Sequence, residues 1–339
     1  MGSWKPFRAL PPYLGGKRRL AQLVLALLTE VLPPDRWASR TFVDPFLGGG
    51  SVSLLAKGRG FLVLCNDLAL RSAAIGHGLI ANSSAKLSSA DVAMLLQEPD
   101  GPYEALAEDC YSPSVLPLAH ARVVDRVVAN LASLPEPVRS LAIVLLMKWI
   151  LRIQPMSLIR GTDAKAAHEG DFDQVSPRRL GHYMKADKLL EVRAWLSLAE
   201  EVNLGVFPGQ GRAYQLDVFE FLAQVEGDVV YLDPPYPGTT SYEREYAVLD
   251  DLLEGEKRPT SGFSRSADLL TDLFVACEHI PIWLLSLNNA VLDQKALEDL
   301  VGRHRKNVRC LAIPYRHLTS IASEKKNEEN REYIVLATN

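Results

Sequence analysis

Apolar positions recur along this chain in two periods. From Arg18 to Leu32 the pattern reads as an amphipathic helix, stopped by Pro33-Pro34. Thr41–Val43 reads as a short strand and Ser51–Lys57 as the start of a helix, which Ser51 is placed to cap. Phe61–Leu64 is wholly apolar, as a strand buried on both faces should be. Residues 84–205 read as mainly helical, interrupted by a polar stretch at Arg160–Gly181. Asp228–Leu232 is a second buried strand. Asp268–Glu278 is a helix, Pro281–Leu287 a strand and Asp293–Val301 a helix, with strands at Asn307–Ile313 and Glu332–Ala337. Strand and helix alternate on both sides of a helical insert. The expectation is a doubly wound, mostly parallel α/β sheet of Rossmann-like type carrying an inserted helical lobe. The expected division is 1–83 with 206–339 as one domain and 84–205 as the other.

Two strand ends carry chemistry. The first is Phe42-Val43-Asp44-Pro45-Phe46-Leu47-Gly48-Gly49-Gly50-Ser51, a strand entering a glycine-rich turn before a helix. Glycines allow close approach of a ligand to the backbone and positive φ. Asp67 lies at the end of the next strand, where a carboxylate can hold ribose hydroxyls. No Gly-Lys-Ser/Thr follows, so the turn is not a P-loop, and Ser53 breaks the strict G-x-G-x-x-G pattern. A carboxylate at Asp44 repels phosphate and suits a nucleoside with an uncharged tail. An ordinary tight turn stays open for this segment taken alone.

The second strand end is Val229-Val230-Tyr231-Leu232-Asp233-Pro234-Pro235-Tyr236. Consecutive prolines stiffen the backbone and remove two donors, so the segment presents carbonyls and a carboxylate. An aromatic amine is a poor nucleophile because its lone pair is delocalised into the ring. Acceptors for both of its N–H hydrogens draw the nitrogen toward a tetrahedral form. Asp233 and the Pro234 carbonyl are groups of that kind, and Tyr236 can stack on an extruded base.

Composition narrows the partners. The chain has 339 residues, 47% of them hydrophobic, and a net charge of −4. No apolar run is long enough to span a bilayer, and the N-terminus lacks a signal-peptide pattern, so a cytoplasmic location without a membrane is expected. The net acidity hides basic stretches. Residues 148–193 carry nine basic residues against six acidic, and residues 303–331 carry eight against three. One basic face on an acidic protein is compatible with nucleic acid, as is plain solvated surface charge. Cys65, Cys110, Cys277 and Cys310 form no CxxC pair, and none follows a proline as the nucleophile of a C5-cytosine methyltransferase would. No metal is expected, and the cysteines and histidines (His77, His168 and His304 among them) are read as structural.

In this order the two motifs resemble the Dam-type adenine-specific (N6) DNA methyltransferases, whose order is cofactor loop, recognition region, catalytic loop. Tyr13-Leu14-Gly15-Gly16-Lys17 resembles the family's aromatic-x-Gly-Gly-Lys segment. The resemblance implies S-adenosylmethionine as cofactor, held by Tyr13, Gly16, Lys17, Asp44, Pro45, Phe46, Gly48, Gly50, Asp67, Asp217 and Asp233. It implies a catalytic loop of Asp233, Pro234, Pro235 and Tyr236, and a seven-stranded sheet with a target-recognition lobe at 84–205. Met156–Thr162 resembles the recognition hairpin, with only its Leu and Arg retained. Arg152, Arg160, Lys165, Arg178, Arg179 and Lys185 are the DNA-contact candidates. The acidic stretch Asp250–Glu256 reads as a loop. Double-stranded DNA is the expected partner, with a cognate restriction or defence component as a second. The expected reaction is direct methyl transfer to the N6 of a flipped adenine in a specific sequence. N4-cytosine and RNA amine methyltransferases, and a catalytically silent DNA-binding module, remain alternatives.

Overall fold

A computed structural model describes residues 4–13, 15–154, 185–235, 242–255, 268–289, 292–314 and 330–339. The chain divides into two compact units. One is a sheet unit of Gly15–Gly76, Gly209–Glu245 and Thr260–Asn339, and the other a helical unit of Met1–Leu14, His77–Pro208 and Tyr246–Pro259. Two sequence-distant pieces join the helical unit.

The sheet has seven strands: β1 (Thr41–Asp44), β2 (Leu62–Asn66), β3 (Gln210–Tyr214), β4 (Val229–Leu232), β5 (Ile282–Asn288), β6 (Asn307–Pro314) and β7 (Arg331–Thr338). Their spatial order is β3-β2-β1-β4-β5-β7-β6, with β7 antiparallel to both of its neighbours. The expected mostly parallel, doubly wound sheet is present. The apolar run Val229–Leu232 is buried throughout, as its central position requires. Pattern reading missed β3 because it is an edge strand, exposed or half-exposed along its length, with no apolar alternation to detect. At the strand starts, Asp228 locks β4 to β1 by accepting from Thr41 N at 2.8 Å and pairing with Arg40 at 2.7 Å.

The helices fit the periodicity with shortened ends. The first spans Ala21–Leu28, inside the expected Arg18–Leu32. The helix Ser51–Gly58 is not capped by Ser51. Its N-cap is Gly50 at φ 69°, and Ser51 is the first helical residue. Arg305, from the basic C-terminal stretch, is 3% exposed and does not contribute to a surface patch. Its guanidinium lies 3.8 Å from the Trp283 ring centroid and donates to the carbonyls of Cys277, Glu278 and Ile280.

In the helical unit, Val138–Ile153 is buried along nearly its whole length. Trp149 stacks on Trp195 at 4.8 Å and meets His120 at 5.7 Å, so His120 is a core residue. Lys148, 5% exposed, donates to Arg8 O at 2.7 Å and pairs with Glu201 at 3.2 Å. That bond explains why the N-terminal segment belongs with the helices. The expected loop at Asp250–Glu256 is corrected: Tyr242–Glu254 is a helix. Its charges obscured an apolar face of Tyr246, Leu249, Leu252 and Leu253, all buried. Tyr246 stacks on Tyr13, and Asp251 accepts from the Tyr111 hydroxyl. Among the described residues no helix is long and apolar enough to cross a membrane, and no three His, Cys, Asp or Glu side chains cluster as a metal site.

Candidate active site

The strand order reverses between β1 and β4, which lie side by side in the sheet. Open α/β sheets bind ligands outside the carboxyl ends of the strands at such a switch point. Asp44 ends β1, Asp67 follows β2 and Asp233 follows β4, so topology alone gathers three carboxylates at this edge.

The glycine turn is built to stay in place. Gly48 and Gly50 take φ of 50° and 69°, values that an L side chain rarely adopts. Gly50 N donates to Leu47 O at 2.8 Å, and Leu47 N donates to Asn66 O at 2.9 Å. Gly48 N donates to Asp67 Oδ2 at 2.8 Å, while Asp67 Oδ1 accepts from Ala69 N at 3.0 Å. The Asp67 carboxylate therefore spends acceptor capacity on shaping the turn. Asn66, 2% exposed, ties this corner to the next strand end. Its side-chain amide donates to Leu216 O at 3.1 Å and Pro45 O at 3.4 Å, and its oxygen accepts from Leu216 N at 2.9 Å.

Asp44 is 1% exposed. Its Oδ2 accepts from Ser53 Oγ at 2.6 Å and its Oδ1 from Phe46 N at 3.3 Å. Burial pushes its carboxyl up to about 7 against the pull of the Ser53 hydroxyl, and Asp233 and Asp67 add like-charge repulsion. Ser53 is thus the partner of the carboxylate, a role hidden in a sequence where it registered only as a missing glycine. Burial also raises Asp67, with Arg71 pulling the other way.

Asp233 sits under a buried cation. Lys17, 6% exposed, places Nζ 3.0 Å from Asp233 Oδ1 and 3.3 Å from Glu332 Oε1, and donates to Gly15 O at 3.0 Å. Gly15 at φ 71° makes the turn that brings Lys17 in. Glu332 on β7 escaped sequence reasoning because nothing in its neighbourhood forms a motif. Below this cluster the Tyr231 hydroxyl and Ser286 Oγ are 2.9 Å apart, joining β4 to β5.

The structure brings Gly16, Lys17, Asp44, Pro45, Phe46, Gly48, Gly50, Asp67, Asp217, Asp233, Pro234 and Pro235 into the sheet unit. Asp217 is an exposed helix N-cap, accepting from Phe219 N at 2.9 Å. Tyr13 belongs to the helical unit, where its ring stacks on Tyr246. Tyr236, Arg160, Lys165, Arg178 and Arg179, and the Met156–Thr162 segment, lie outside the described residues. Arg152 is half-exposed and pairs with Glu201 at 3.0 Å, and Lys185 is exposed.

A glycine turn, an acidic corner and an Asp-Pro-Pro end lie at one switch point. The profile of the D12 class N6 adenine-specific DNA methyltransferases matches residues 13–103, the stretch holding the Lys17 turn, the glycine turn and Asp67. Over that stretch the chain is similar to this family. It is an adenine-specific DNA methyltransferase. The chain is similar to Type II methyltransferase M2.HphI of Haemophilus parahaemolyticus, 28% identical over 96% of this chain and 97% of that protein. It is also similar to Modification methylase LlaI of Lactococcus lactis subsp. lactis, 23% identical over 86% of this chain and 48% of that longer protein.

Proposed function

We propose that the methyl donor is S-adenosylmethionine, held at the glycine turn, and that Asp233-Pro234 activates the N6 amine of an adenine flipped from double-stranded DNA. The observation that carries this reading is charge. Asp44, Asp67 and Asp233 converge at one edge, and burial and mutual repulsion raise the Asp44 carboxyl to about 7. Such a site favours a cation and repels phosphate. S-adenosylmethionine fits: it is a nucleoside with a sulfonium and an ammonium group, and when bound it supplies an electrophilic methyl.

The chain's own residues do the rest. The turn at Gly48 and Gly50 lets the backbone approach the ligand. Asp67 and Asp217 flank it as carboxylates for hydroxyl and amino groups. The Asp233 carboxylate accepts one N–H of the target amine and the Pro234 carbonyl accepts the other, which localises the lone pair on nitrogen. Lys17 holds Asp233 by Oδ1, fixing the carboxylate's orientation. The nitrogen gives up one proton as its new C–N bond forms, and Asp233 is the base at hand. Catalysis is then mostly orientation and electrostatics.

The helical unit and the basic residues 152–185 supply the DNA contacts in this reading, with most bonds going to phosphates. A cognate restriction nuclease or defence component is the proposed biological partner. Transfer of labelled methyl from S-adenosylmethionine to unmethylated duplex DNA, by wild type and Asp233→Ala, tests the assignment. Transfer by the wild type alone supports it. Equal transfer by the variant removes Asp233 from the mechanism.

A further inference from the structure

We propose that Glu332 is a positioning residue for methyl transfer, sharing the charge of Lys17 so that Asp233 remains a strong hydrogen-bond acceptor. The inference rests on the reading of Asp233 as the acceptor for the amine. Its basis is a carboxylate–ammonium–carboxylate line in which Lys17 Nζ stands 3.0 Å from Asp233 Oδ1 and 3.3 Å from Glu332 Oε1. The three members differ in exposure. Lys17 is 6% exposed and Glu332 1%, whereas the Asp233 side chain is 19% exposed and is the member open to a substrate. A buried carboxylate is costly unless paired, so Glu332 is committed to the ammonium.

The fold holds Glu332 in register. It is the second residue of β7, opposite Asn288 of β5 and Ile313 of β6. The strand's entry is pinned by Arg331 N donating to Asn289 Oδ1 at 3.0 Å and Asn289 N donating to Arg331 O at 3.1 Å. The reversed direction of β7 puts its first residues at the carboxyl ends of the parallel strands, where the chemistry is.

The consequence is electrostatic. A lysine paired with Asp233 alone would draw the whole ion-pair interaction onto one carboxylate and blunt it as an acceptor. With Glu332 present, the ammonium divides its donors between two anions. Among the described residues, the titratable and charged groups around Asp233 include Lys17 from the N-terminal turn, Glu332 from β7, Asp44 from β1 and the Tyr231 phenol from its own strand. Arg331 is the chain neighbour of Glu332.

The test is Glu332→Gln, which keeps shape and drops the charge, beside Lys17→Met and the double variant. With Glu332→Gln we expect kcat to fall about tenfold, KM for DNA and donor to stay within about twofold, and the acid limb of the kcat profile to move to lower pH. Added to Lys17→Met, Glu332→Gln should not lower kcat further, because its ammonium partner is already gone and the second substitution relieves an uncompensated buried carboxylate. That comparison also serves if the single variant does not fold, since the double variant carries no unpaired buried charge at 17 or 332. Independently of turnover, 13C NMR titration of the Asp233 carboxyl, assigned with Asp233→Asn, should show a lower midpoint in Glu332→Gln. An unmoved midpoint and acid limb, or full additivity with Lys17→Met, overturns the proposal. A wild type that transfers no methyl while the midpoint still moves would fault the functional reading and leave the coupling intact.

Discussion

The two units of this protein both bury charge, and they use it in opposite ways. In the helical unit several buried polar groups are closed off by their neighbours. Lys148 and Arg152 converge on Glu201 at 3.2 and 3.0 Å, joined by Arg8 at 3.5 Å. Asn130 donates to the carbonyls of Met94, Leu95 and Gln97, and Asp125 accepts from Ala107 N at 2.7 Å and Glu108 N at 2.9 Å. At the switch point of the sheet unit, Asp44, Asp67 and Asp233 converge, and Lys17 stands between Asp233 and Glu332. Burial and charge together do not make an active site. What distinguishes the sheet edge is charge left unbalanced at a place where the backbone opens to a ligand.

The contrast can be broken most sharply at Asp233. Asp233→Asn keeps the shape of the loop, and kcat should fall about a thousandfold or more while donor binding persists, measured by single-turnover transfer and calorimetry. Lys148→Met is the counterpart in the helical unit. It should cost about 1.5–3 kcal/mol of stability by removing a buried ammonium from Glu201 and the Arg8 carbonyl, read from the urea midpoint, with kcat per folded molecule unchanged.

Asp44→Asn sharpens the comparison through pH. In the folded, ligand-free protein burial holds Asp44 protonated up to about 7, against an ordinary value of 3.8. Its contribution to stability is therefore full below pH about 4 and is lost as pH rises through about 7. Binding of a cationic donor has the opposite slope, because it needs the ionised form. Donor affinity should rise toward neutrality by up to about tenfold per pH unit below 7, and Asp44→Asn should flatten both dependences in calorimetry and thermal melts. The smallest effect is expected at Arg152, half-exposed in its pair with Glu201. Arg152→Ala should change stability by less than about 1 kcal/mol, measured by the same urea titration.

Legibility in the sequence followed the same divide. Asp44, the glycines and Asp233 could be read because a strand, a turn and a reactive residue are contiguous there, so local pattern carries the chemistry. Lys17 was placed by its motif, but its partner Glu332 lies 315 residues away and only the strand order unites them. Ser53 and Asn66 were visible as residues and silent as partners, since a side chain's acceptor depends on the neighbouring strand. Asp250–Glu254, the last turn of a helix, reads as loop because six acidic residues among the thirteen helical positions and their flanks mask an apolar face. β3 was invisible because an exposed edge strand need not alternate.

The central claim is tested most directly by the chemical identity and position of the methylated base. Unmethylated duplex DNA, incubated with the purified protein and S-adenosylmethionine, should carry N6-methyladenine at one short sequence when read by modification-sensitive sequencing. Methyl groups on the N4 of cytosine, or in RNA and not in DNA, would contradict the account.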